Sequence, residues 1–309
     1  MFGFSMEEEN GEEQKMIKIG IVGGASSWHA RSFSEMFNGY DMELAKKHNF
    51  PIYEARIEGA IVTHLWDENL EQARLLSKVC GIGEVMTNME DMIGKVDGVI
   101  IADDETMKHQ RRAIPFLKSG MPTMIDKPLS PNIDEAVKLV ELAKANHAPM
   151  MSCSALRYAK EVAEVLSKRE ELGDIMTGNT ICSGDLIYYG VHALEQLYVV
   201  VGQGIRCVQN LGERDKDIVV ITLKDGRKFV LTVYKNLFYL FQMNLYGTKG
   251  WREVRVEDSN FFYSKMLEAY VRMVKTREMP FQPDETLEII KALVLARESA
   301  NEGAKVFYL

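Results

Sequence analysis

Short runs of β-branched and other apolar residues alternate with helix-length segments over the first half of the chain, and this alternation limits the possible folds more than any other feature. The runs cover residues 17–22, 60–65, 98–102, 123–125 and 150–152. Strands that alternate with helices pair in parallel, and the helices cover the faces of the sheet. Residues 134–147, with Ser130 and Pro131 before them as cap and first-turn residues, carry an apolar stripe at helical spacing and predict one of these helices.

The pattern changes after Arg157. Helices are predicted to about residue 169 and at 189–201, 261–276 and 284–301, and a strand is predicted at 175–182. Strands 218–223 and 229–233 are joined through Asp225-Gly226, which predicts a two-residue hairpin turn and an antiparallel pair. Apolar residues on both phases of these strands predict a sheet with one face on the core and the other on a helix or a partner subunit. We therefore expect an α/β protein with two differently organised halves.

The composition excludes several classes of function. The 309 residues are enough for two domains, and a formal charge of -8 leaves no excess of Lys and Arg for binding nucleic acid. The apolar runs are shorter than the about 20 residues that a membrane helix needs. Residues 1–15 are acidic and are interpreted as a solvated leader rather than a secretory signal. The four cysteines lack metal-ligand spacing, so we expect reduced thiols, no metal and a soluble cytoplasmic protein.

A glycine pair stands between the first strand and the first helix, in the segment Gly23-Gly24-Ala25-Ser26-Ser27. Backbone N–H groups at such a turn, with the following helix dipole, are typical of a pyrophosphate site. The full GxGxxG fingerprint is absent because positions 25 and 28 are Ala and Trp, so a tight turn without a ligand is an equal alternative. Asp67 ends the next strand, where a carboxylate either binds the adenosine ribose and favours NAD over NADP or satisfies free amides at a helix start.

Further landmarks follow in a fixed order. The strand ending at Ala102 is followed by the acidic Asp103-Asp104-Glu105, by His109 and by a helix ending at Gly120. The later landmarks are Asp126-Lys127-Pro128-Leu129, Arg157-Tyr158, Leu172-Gly173-Asp174, Tyr189-Gly190-Val191-His192 and Tyr246-Gly247-Thr248-Lys249-Gly250. Together they resemble the Gfo/Idh/MocA oxidoreductases, with Asp126 in place of the usual Glu of Glu-Lys-Pro and the acidic loop in place of Thr-Pro-Asn. The resemblance covers nearly the whole chain from Met16.

The resemblance implies an N-terminal Rossmann domain with a parallel sheet at residues 16–153. It also implies a C-terminal α/β domain at 154–309, with an open, mostly antiparallel sheet, for substrate binding and oligomerisation. In this family the Lys of Glu-Lys-Pro and a downstream His supply the base and the cation for oxidation of a hydroxyl, so Lys127 and His192 are the expected catalytic residues.

One departure from the family pattern bears on His192. The family Asp four residues before the His falls on Tyr188, and the Asp that often follows it by three is Glu195. Loss of the first carboxylate leaves three alternatives: Tyr188 exchanges protons, Asp185 takes its place, or dehydrogenase activity is weak. We include Tyr188 among the expected catalytic residues.

The resemblance also places residues in the two binding sites. The cofactor site adds Ala102, His109, Asp126, Lys127 and Pro128 to the glycine segment and Asp67, and the substrate site contains Lys127, Arg157, Tyr189 and His192. From the residues alone, Lys127 also fits an exposed loop lysine and His192 a packed core histidine.

The expected function is NAD-dependent oxidation or reduction of a secondary hydroxyl or carbonyl of a sugar, polyol or cyclitol. The expected assembly is a homo-oligomer, a dimer or a tetramer, because a sheet with an uncovered face rarely stays monomeric. Two alternatives stay open. A non-catalytic nucleotide-binding relative is favoured by Ala25, Trp28 and the missing Asp at position 188, and an NAD-dependent glycoside hydrolase or lyase is favoured by Tyr188.

Overall fold

The computed structural model describes residues 16–103 and 107–309, so the acidic leader and the loop residues Asp104 and Glu105 lie outside the described residues. Within the two described ranges, the chain forms two β-sheets with helices packed against them. No helix in this part of the chain is long and apolar enough to span a lipid bilayer.

The first sheet is parallel and contains six strands among the described residues. They are β1 (Ile17–Val22), β2 (Ala60–Trp66), β3 (Glu84–Val85), β4 (Gly98–Ile101), β5 (Thr123–Ile125) and β6 (Met150–Met151). Their order across the sheet is β3-β2-β1-β4-β5-β6, with every pairing parallel. This order is that of a Rossmann fold, in which ligands bind beyond the carboxyl ends of the central strands β1 and β4. The predicted parallel Rossmann sheet is confirmed.

Five α-helices connect these strands in the described part of the first half. They are α1 (Trp28–Asn38), α2 (Met42–Lys47), α3 (Leu70–Cys80), α4 (His109–Lys118) and α5 (Ile133–Ala145). The predicted cap of α5 at Ser130 is wrong, because the side chain of Asn132 accepts the hydrogen bond from the Glu135 N–H at 3.1 Å. Ser130 instead donates to the Glu135 carboxylate. The sequence did not predict β3, because two residues present no apolar run.

The second sheet is mixed and mostly antiparallel. Its described strands are β7 (Ile175–Ser183), β8 (Ile205–Asn210), β9 (Lys216–Leu223), β10 (Lys228–Tyr234), β11 (Phe241–Gly247), β12 (Trp251–Arg255) and β13 (Phe307–Tyr308). Their order is β12-β11-β7-β10-β9-β8-β13, and β7 and β10 form a parallel pair within an otherwise antiparallel sheet. The sheet therefore agrees with the expected open, mostly antiparallel arrangement.

The turn between β9 and β10 differs from the two-residue prediction. The Leu223 N–H donates to the Arg227 carbonyl at 2.9 Å, so the loop contains the three residues Lys224, Asp225 and Gly226. Gly226 has a φ of +91°, and its N–H donates to the Leu223 carbonyl at 3.0 Å. A three-residue loop of this kind closes a tight turn and then uses a glycine with positive φ to return the chain to the strand.

Helices of the second half lie against the second sheet and also reach back to the first. They are α6 (Lys160–Ser167), α7 (Arg169–Leu172), α8 (Gly190–Val201), α9 (Ser259–Thr276) and α10 (Pro283–Asn301). Helix α9 contacts β1 and α1, and α10 packs against α5. The Thr286 hydroxyl donates to the Ser152 carbonyl at 2.7 Å, which fixes α10 to the end of β6. The two C-terminal helices therefore hold the carboxyl edge of the first sheet against the second half.

Candidate active site

A cavity of about 690 Å³ opens where the carboxyl ends of the first sheet face the second half of the chain. Both halves contribute to its wall, the first through Trp28, His29 and Lys127 and the second through Tyr189, His192 and Tyr263. A volume of this size is typical of a small-molecule site. Lys127 and His192, which the sequence predicted to act together, therefore line the same cavity.

Lys127 lies two residues after the end of β5. Its side chain is half-buried, whereas the residues on either side of it are buried. Its backbone N–H donates to the carboxylate of Asp126 at 2.8 Å, which fixes the turn after the strand. Its Nζ atom lies 6.0 Å from the centroid of the Tyr189 ring, within the range of a cation–π contact. A cation at this position can stabilise negative charge that develops on an oxygen in the cavity.

His192 lies near the start of α8 and is buried, with its ring between those of Tyr189 and Phe241 at centroid distances of 5.9 and 5.3 Å. Its Nδ1 atom lies 2.7 Å from the hydroxyl oxygen of Ser154. Burial lowers the pKa of His192 well below its usual range, and the charge on Lys127 lowers it further. His192 is therefore neutral at pH 7, and the hydrogen-bond partner of its Nδ1 atom is a serine rather than a carboxylate.

A second histidine in the cavity is paired with a carboxylate. His29 Nδ1 lies 2.6 Å from the carboxylate of Asp126, and His29 Nε2 lies 3.1 Å from the hydroxyl of Tyr263. Burial by itself raises the pKa of Asp126, but the charge and hydrogen bond of His29, followed by the charge on Lys127, bring it down to about 2. Asp126 is therefore ionised at neutral pH, although it is buried.

The glycine segment forms a tight turn between β1 and α1. Gly23 and Gly24 both have positive φ, +78° and +68°, which other residues rarely adopt. A Cβ atom on Gly24 would lie 1.8 Å from the carbonyl oxygen of Ala102, so this glycine allows the turn to pack against the end of β4. Ser27 caps α1 by accepting from the Ala30 N–H, and its hydroxyl donates to the Ala102 carbonyl. The Ser27 hydroxyl is therefore already bonded within the fold.

Asp67 and Arg112 lie on either side of this turn. One oxygen of Asp67 accepts from the Ala25 N–H at 2.8 Å and the other from the Asn69 N–H at 2.6 Å. Arg112 is buried and forms an ion pair with Asp103 at 2.7 Å, and a Cβ atom on Gly23 would lie 2.1 Å from its guanidinium. Its Nε has no hydrogen-bond partner within the described part of the chain. The turn thus combines an α-helix N-terminus, a carboxylate and a buried cation, which fits a nucleotide that carries phosphate and ribose groups.

Two predicted site residues lie elsewhere in the structure. Tyr188 is half-buried against the hydrophobic core and lies outside the set of described residues that line the cavity, which includes its neighbour Tyr189. Arg157 forms ion pairs with Glu195 at 2.6 Å and Glu285 at 2.9 Å. Its guanidinium is directed to these carboxylates because a charge this deeply buried requires a counter-charge. Arg157 is thus part of the structural core rather than of the cavity wall.

His109, which was expected in the cofactor site, is also held within the fold. Its ring nitrogens lie 3.0 Å from the Pro128 carbonyl and 2.5 Å from the Asp103 carbonyl, and the side chain is buried. His109 therefore ties the start of α4 to the turns after β4 and β5. Asp103 itself is buried and paired with Arg112.

Three residues that line the cavity or contact one of its histidines were not predicted as site residues. Ser154 follows β6 at the carboxyl edge of the sheet, and that position is the signal that could have identified it. His29 follows the glycine segment closely, but its pairing with Asp126 joins residues that are distant in the sequence. Tyr263 is one of 12 tyrosines, and nothing in the sequence distinguishes it from the others.

Comparison with known proteins identifies the first half. Residues 17–153 match the family described as "Oxidoreductase family, NAD-binding Rossmann fold". Residues 17–153 are therefore similar to the Gfo/Idh/MocA oxidoreductases over the first half of the chain. Among curated members, the chain is 26% identical over 121 residues to inositol 2-dehydrogenase from two strains of Corynebacterium glutamicum, strain R and strain ATCC 13032. The match covers 38% of this chain and 36% of the relative, so it spans about a third of the relative's length.

Solved structures of low sequence identity share the fold of this chain over nearly its whole length. A probable dehydrogenase from Thermotoga maritima superposes with a TM-score of 0.79 at 15% identity, covering 94% of this chain and 98% of the other. GenD2 from gentamicin A biosynthesis, in complex with NAD, gives 0.77 at 17% identity, with coverages of 96% and 97%. Myo-inositol dehydrogenase from Lactobacillus casei, in complex with NAD(H) and myo-inositol, gives 0.78 at 14% identity, with coverages of 95% and 97%.

Proposed function

We propose that this protein is an NAD-dependent dehydrogenase that oxidises a secondary hydroxyl, or reduces the corresponding carbonyl, of a cyclitol, sugar or polyol. The observation that carries the proposal is that Lys127 and His192, from different halves of the chain, line one cavity beyond the carboxyl ends of the parallel strands. We propose accordingly that residues 16–153 form the nucleotide-binding domain and residues 154–309 the substrate and oligomerisation domain.

In this proposal the nucleotide lies across the turn after β1. The segment 23–27 and the N-terminus of α1 lie beside its pyrophosphate. Two N–H groups of this segment are already bonded within the fold, that of Gly23 to the Trp66 carbonyl and that of Ala25 to Asp67, and Arg112 lies buried behind the turn in its pair with Asp103. Asp67 accepts hydrogen bonds from the adenosine ribose and disfavours a 2′-phosphate, which supports NAD over NADP. When bound, the oxidised nicotinamide supplies the acceptor for the hydride. Lys127 and Pro128 lie at the end of β5, beside the cavity.

The cavity wall favours a ring that carries many hydroxyls. Aromatic side chains, among them Tyr189, Phe241 and Tyr263, present faces on which the C–H groups of a saturated ring can pack. Lys127 and the neutral His192 supply polar atoms for a hydroxyl on the reacting carbon, and the charge on Lys127 stabilises that oxygen as its proton leaves. The curated relatives are inositol dehydrogenases, which supports cyclitols as the first substrates to test.

The test is formation of NADH, followed by absorbance and fluorescence, with a panel of inositols, aldoses and linear polyols. We expect turnover of at least one compound with NAD and little with NADP. Lys127→Ala should lower kcat by about 100-fold or more while leaving NAD affinity within about threefold. Lys138→Ala is the matched control, because Lys138 is an exposed lysine on α5 away from the cavity. Tight NAD binding by the wild type without turnover of any compound in the panel would refute the dehydrogenase proposal.

A non-catalytic nucleotide-binding protein is the second candidate, and Trp28 favours it because this exposed side chain stands in the first turn of α1, where the usual fingerprint has a small residue. Titration calorimetry with NAD and NADH separates it from the dehydrogenase. No heat of binding at millimolar nucleotide would support this candidate. The hydrolase or lyase alternative depended on Tyr188, and because Tyr188 does not line the cavity, no observation favours it.

We also propose that the protein is a homo-oligomer, a dimer or a tetramer, through the open face of the second sheet. Tyr246 and Trp251 pair across β11 and β12, and both are exposed on that face. Aromatic side chains exposed side by side are typical of an interface. Light scattering on the wild type should give a mass above that of one chain, and Trp251→Glu should reduce it. A wild-type mass equal to one chain would exclude this assembly.

A further inference from the structure

The hydrogen-bond partner of each cavity histidine determines which ring nitrogen carries the proton. The Nδ1 atom of His29 faces the ionised carboxylate of Asp126 at 2.6 Å. A carboxylate only accepts hydrogen bonds, so Nδ1 of His29 carries a hydrogen and donates it. In the neutral form of the ring, which is the form that can take up a proton, Nε2 accepts the hydrogen bond of the Tyr263 hydroxyl at 3.1 Å. His29 therefore has the arrangement of a base that a carboxylate orients.

His192 has the opposite arrangement. Its Nδ1 atom faces the hydroxyl of Ser154 at 2.7 Å, and that oxygen already accepts from the Leu156 N–H at 3.1 Å. The Ser154 hydroxyl has one proton to donate, and among the described residues Nδ1 of His192 is the acceptor within reach of it. A neutral imidazole that accepts at Nδ1 carries its own hydrogen on Nε2. His192 thus offers the cavity a hydrogen-bond donor rather than a base.

We infer that the Tyr263 hydroxyl, with His29 and Asp126 behind it, takes the proton from the substrate hydroxyl, whereas His192 and Lys127 donate to the substrate oxygen. This inference rests on the proposed dehydrogenase function and assigns the proton transfer to a different part of the cavity from the one that the family pattern implies. Tyr263 contacts the substrate and is the catalytic residue of the three. His29 and Asp126 act through it and are positioning residues.

The proton and the electrons balance in a single oxidation step. The substrate O–H bond breaks and its proton passes to the Tyr263 oxygen, while the Tyr263 proton passes to Nε2 of His29. The C–H bond of the same carbon breaks, and its hydrogen leaves with the electron pair as a hydride to the oxidised nicotinamide of the proposed function. The oxygen electrons left behind form the C=O bond. His29 ends as an imidazolium beside the Asp126 carboxylate, which stabilises its positive charge.

The tautomers can be measured without cofactor or substrate. Long-range ¹H–¹⁵N spectra of the full chain, labelled with ¹⁵N-histidine, distinguish protonated from unprotonated ring nitrogens. The six histidines give a small set of signals, and His29→Gln and His192→Gln assign the two of interest. We expect hydrogen on Nδ1 of His29 and on Nε2 of His192. Hydrogen on Nε2 of His29, or on Nδ1 of His192, would overturn the inference whatever the activity of the protein.

Kinetics provide the second readout. Tyr263→Phe removes the hydroxyl and keeps the ring, and we expect it to lower kcat by about 100-fold with the substrate KM and NAD affinity within about threefold. Tyr270→Phe is the matched control, because Tyr270 lies on the same helix and its buried hydroxyl has no partner among the described residues. If the wild type is active and the two variants have the same kcat, this inference fails alone. If the wild type oxidises no hydroxyl compound, the proposed function fails first.

Discussion

The buried carboxyl of Glu35 should make the free energy of unfolding depend on pH. Its side chain lies on α1 and is fully buried. Burial raises the pKa of Glu35 from 4.5 to about 8, against the opposing charge of Arg56. The folded protein therefore holds Glu35 as a neutral acid at pH 7, whereas the unfolded chain ionises it above about pH 4.5. We predict that Glu35→Gln removes a pH-dependent loss of stability.

The sign and size of the effect follow from the two pKa values. Below pH 4.5 the carboxyl is protonated in both states and has no effect on the free energy of unfolding. As pH rises from 4.5 to 8, the unfolded chain releases a proton that the folded protein keeps, so stability falls by up to about 5 kcal/mol, of which about 3 kcal/mol is lost between pH 5 and pH 8. Glutamine has nearly the same shape and does not ionise, so the variant escapes this loss.

The assay is urea unfolding of the wild type and of Glu35→Gln at several pH values from 5 to 9, followed by circular dichroism. We expect the variant to gain on the wild type steadily up to about pH 8 and then to keep a constant advantage. Glu43→Gln is the control, because Glu43 is an exposed glutamate on α2, and its curve should run parallel to that of the wild type. A Glu35→Gln curve that also runs parallel to the wild type would show that Glu35 is not a buried neutral acid.

Three further predictions test individual contacts. Arg157→Met leaves two carboxylates without their counter-charge, so it should lower the free energy of unfolding in urea by about 3–5 kcal/mol without altering NAD affinity. The control is Arg252→Met at an exposed ion pair, which should lower the free energy of unfolding by under about 1 kcal/mol. Gly24→Ala places a Cβ atom 1.8 Å from the Ala102 carbonyl oxygen at positive φ and should cost about 2–4 kcal/mol, seen as a lower melting temperature. Tyr188→Phe should leave kcat within about twofold of the wild type, and a loss of 100-fold would restore Tyr188 as a catalytic residue.

The strands of the first sheet could be predicted because each is a short apolar run between two helix-length segments, and burial on both faces of a parallel sheet requires such runs. The same reasoning could not find β3, whose two residues are stabilised by pairing with β2 rather than by their own character. It also placed the cap of α5 two residues early, because Ser130 and Asn132 are both good cap residues and only the backbone decides which side chain reaches the Glu135 N–H. The sequence preferences of single residues narrow the possible cap residues and strands, and tertiary contacts decide which of them form.

Residue type alone also does not decide which polar residues near the cavity face a ligand. Lys127 and Arg157 are both cations near the carboxyl edge of the first sheet, and residue type alone does not tell which of them faces a ligand. They differ because the Arg157 guanidinium meets two carboxylates, from α8 and α10, whereas the Lys127 ammonium faces the open cavity and the Tyr189 ring. The charge on Arg157 is held by its two counter-charges within the fold and is therefore not available to a ligand.

The two cavity histidines differ in which ring nitrogen carries the proton. A histidine at a cavity wall can accept or donate a proton, and its residue type does not decide which, because the ring has two nitrogens and its neighbour sets the tautomer. Tyr188 stands at the position where the resemblance expects an aspartate, and the partner of His192 is Ser154, whereas the carboxylate of Asp126 lies beside His29. A carboxylate therefore still orients a histidine at this cavity, but a different histidine. The loss of an aspartate from the sequence pattern is thus insufficient reason to conclude that proton transfer is lost, since the carboxylate and its partner have to be located in space first.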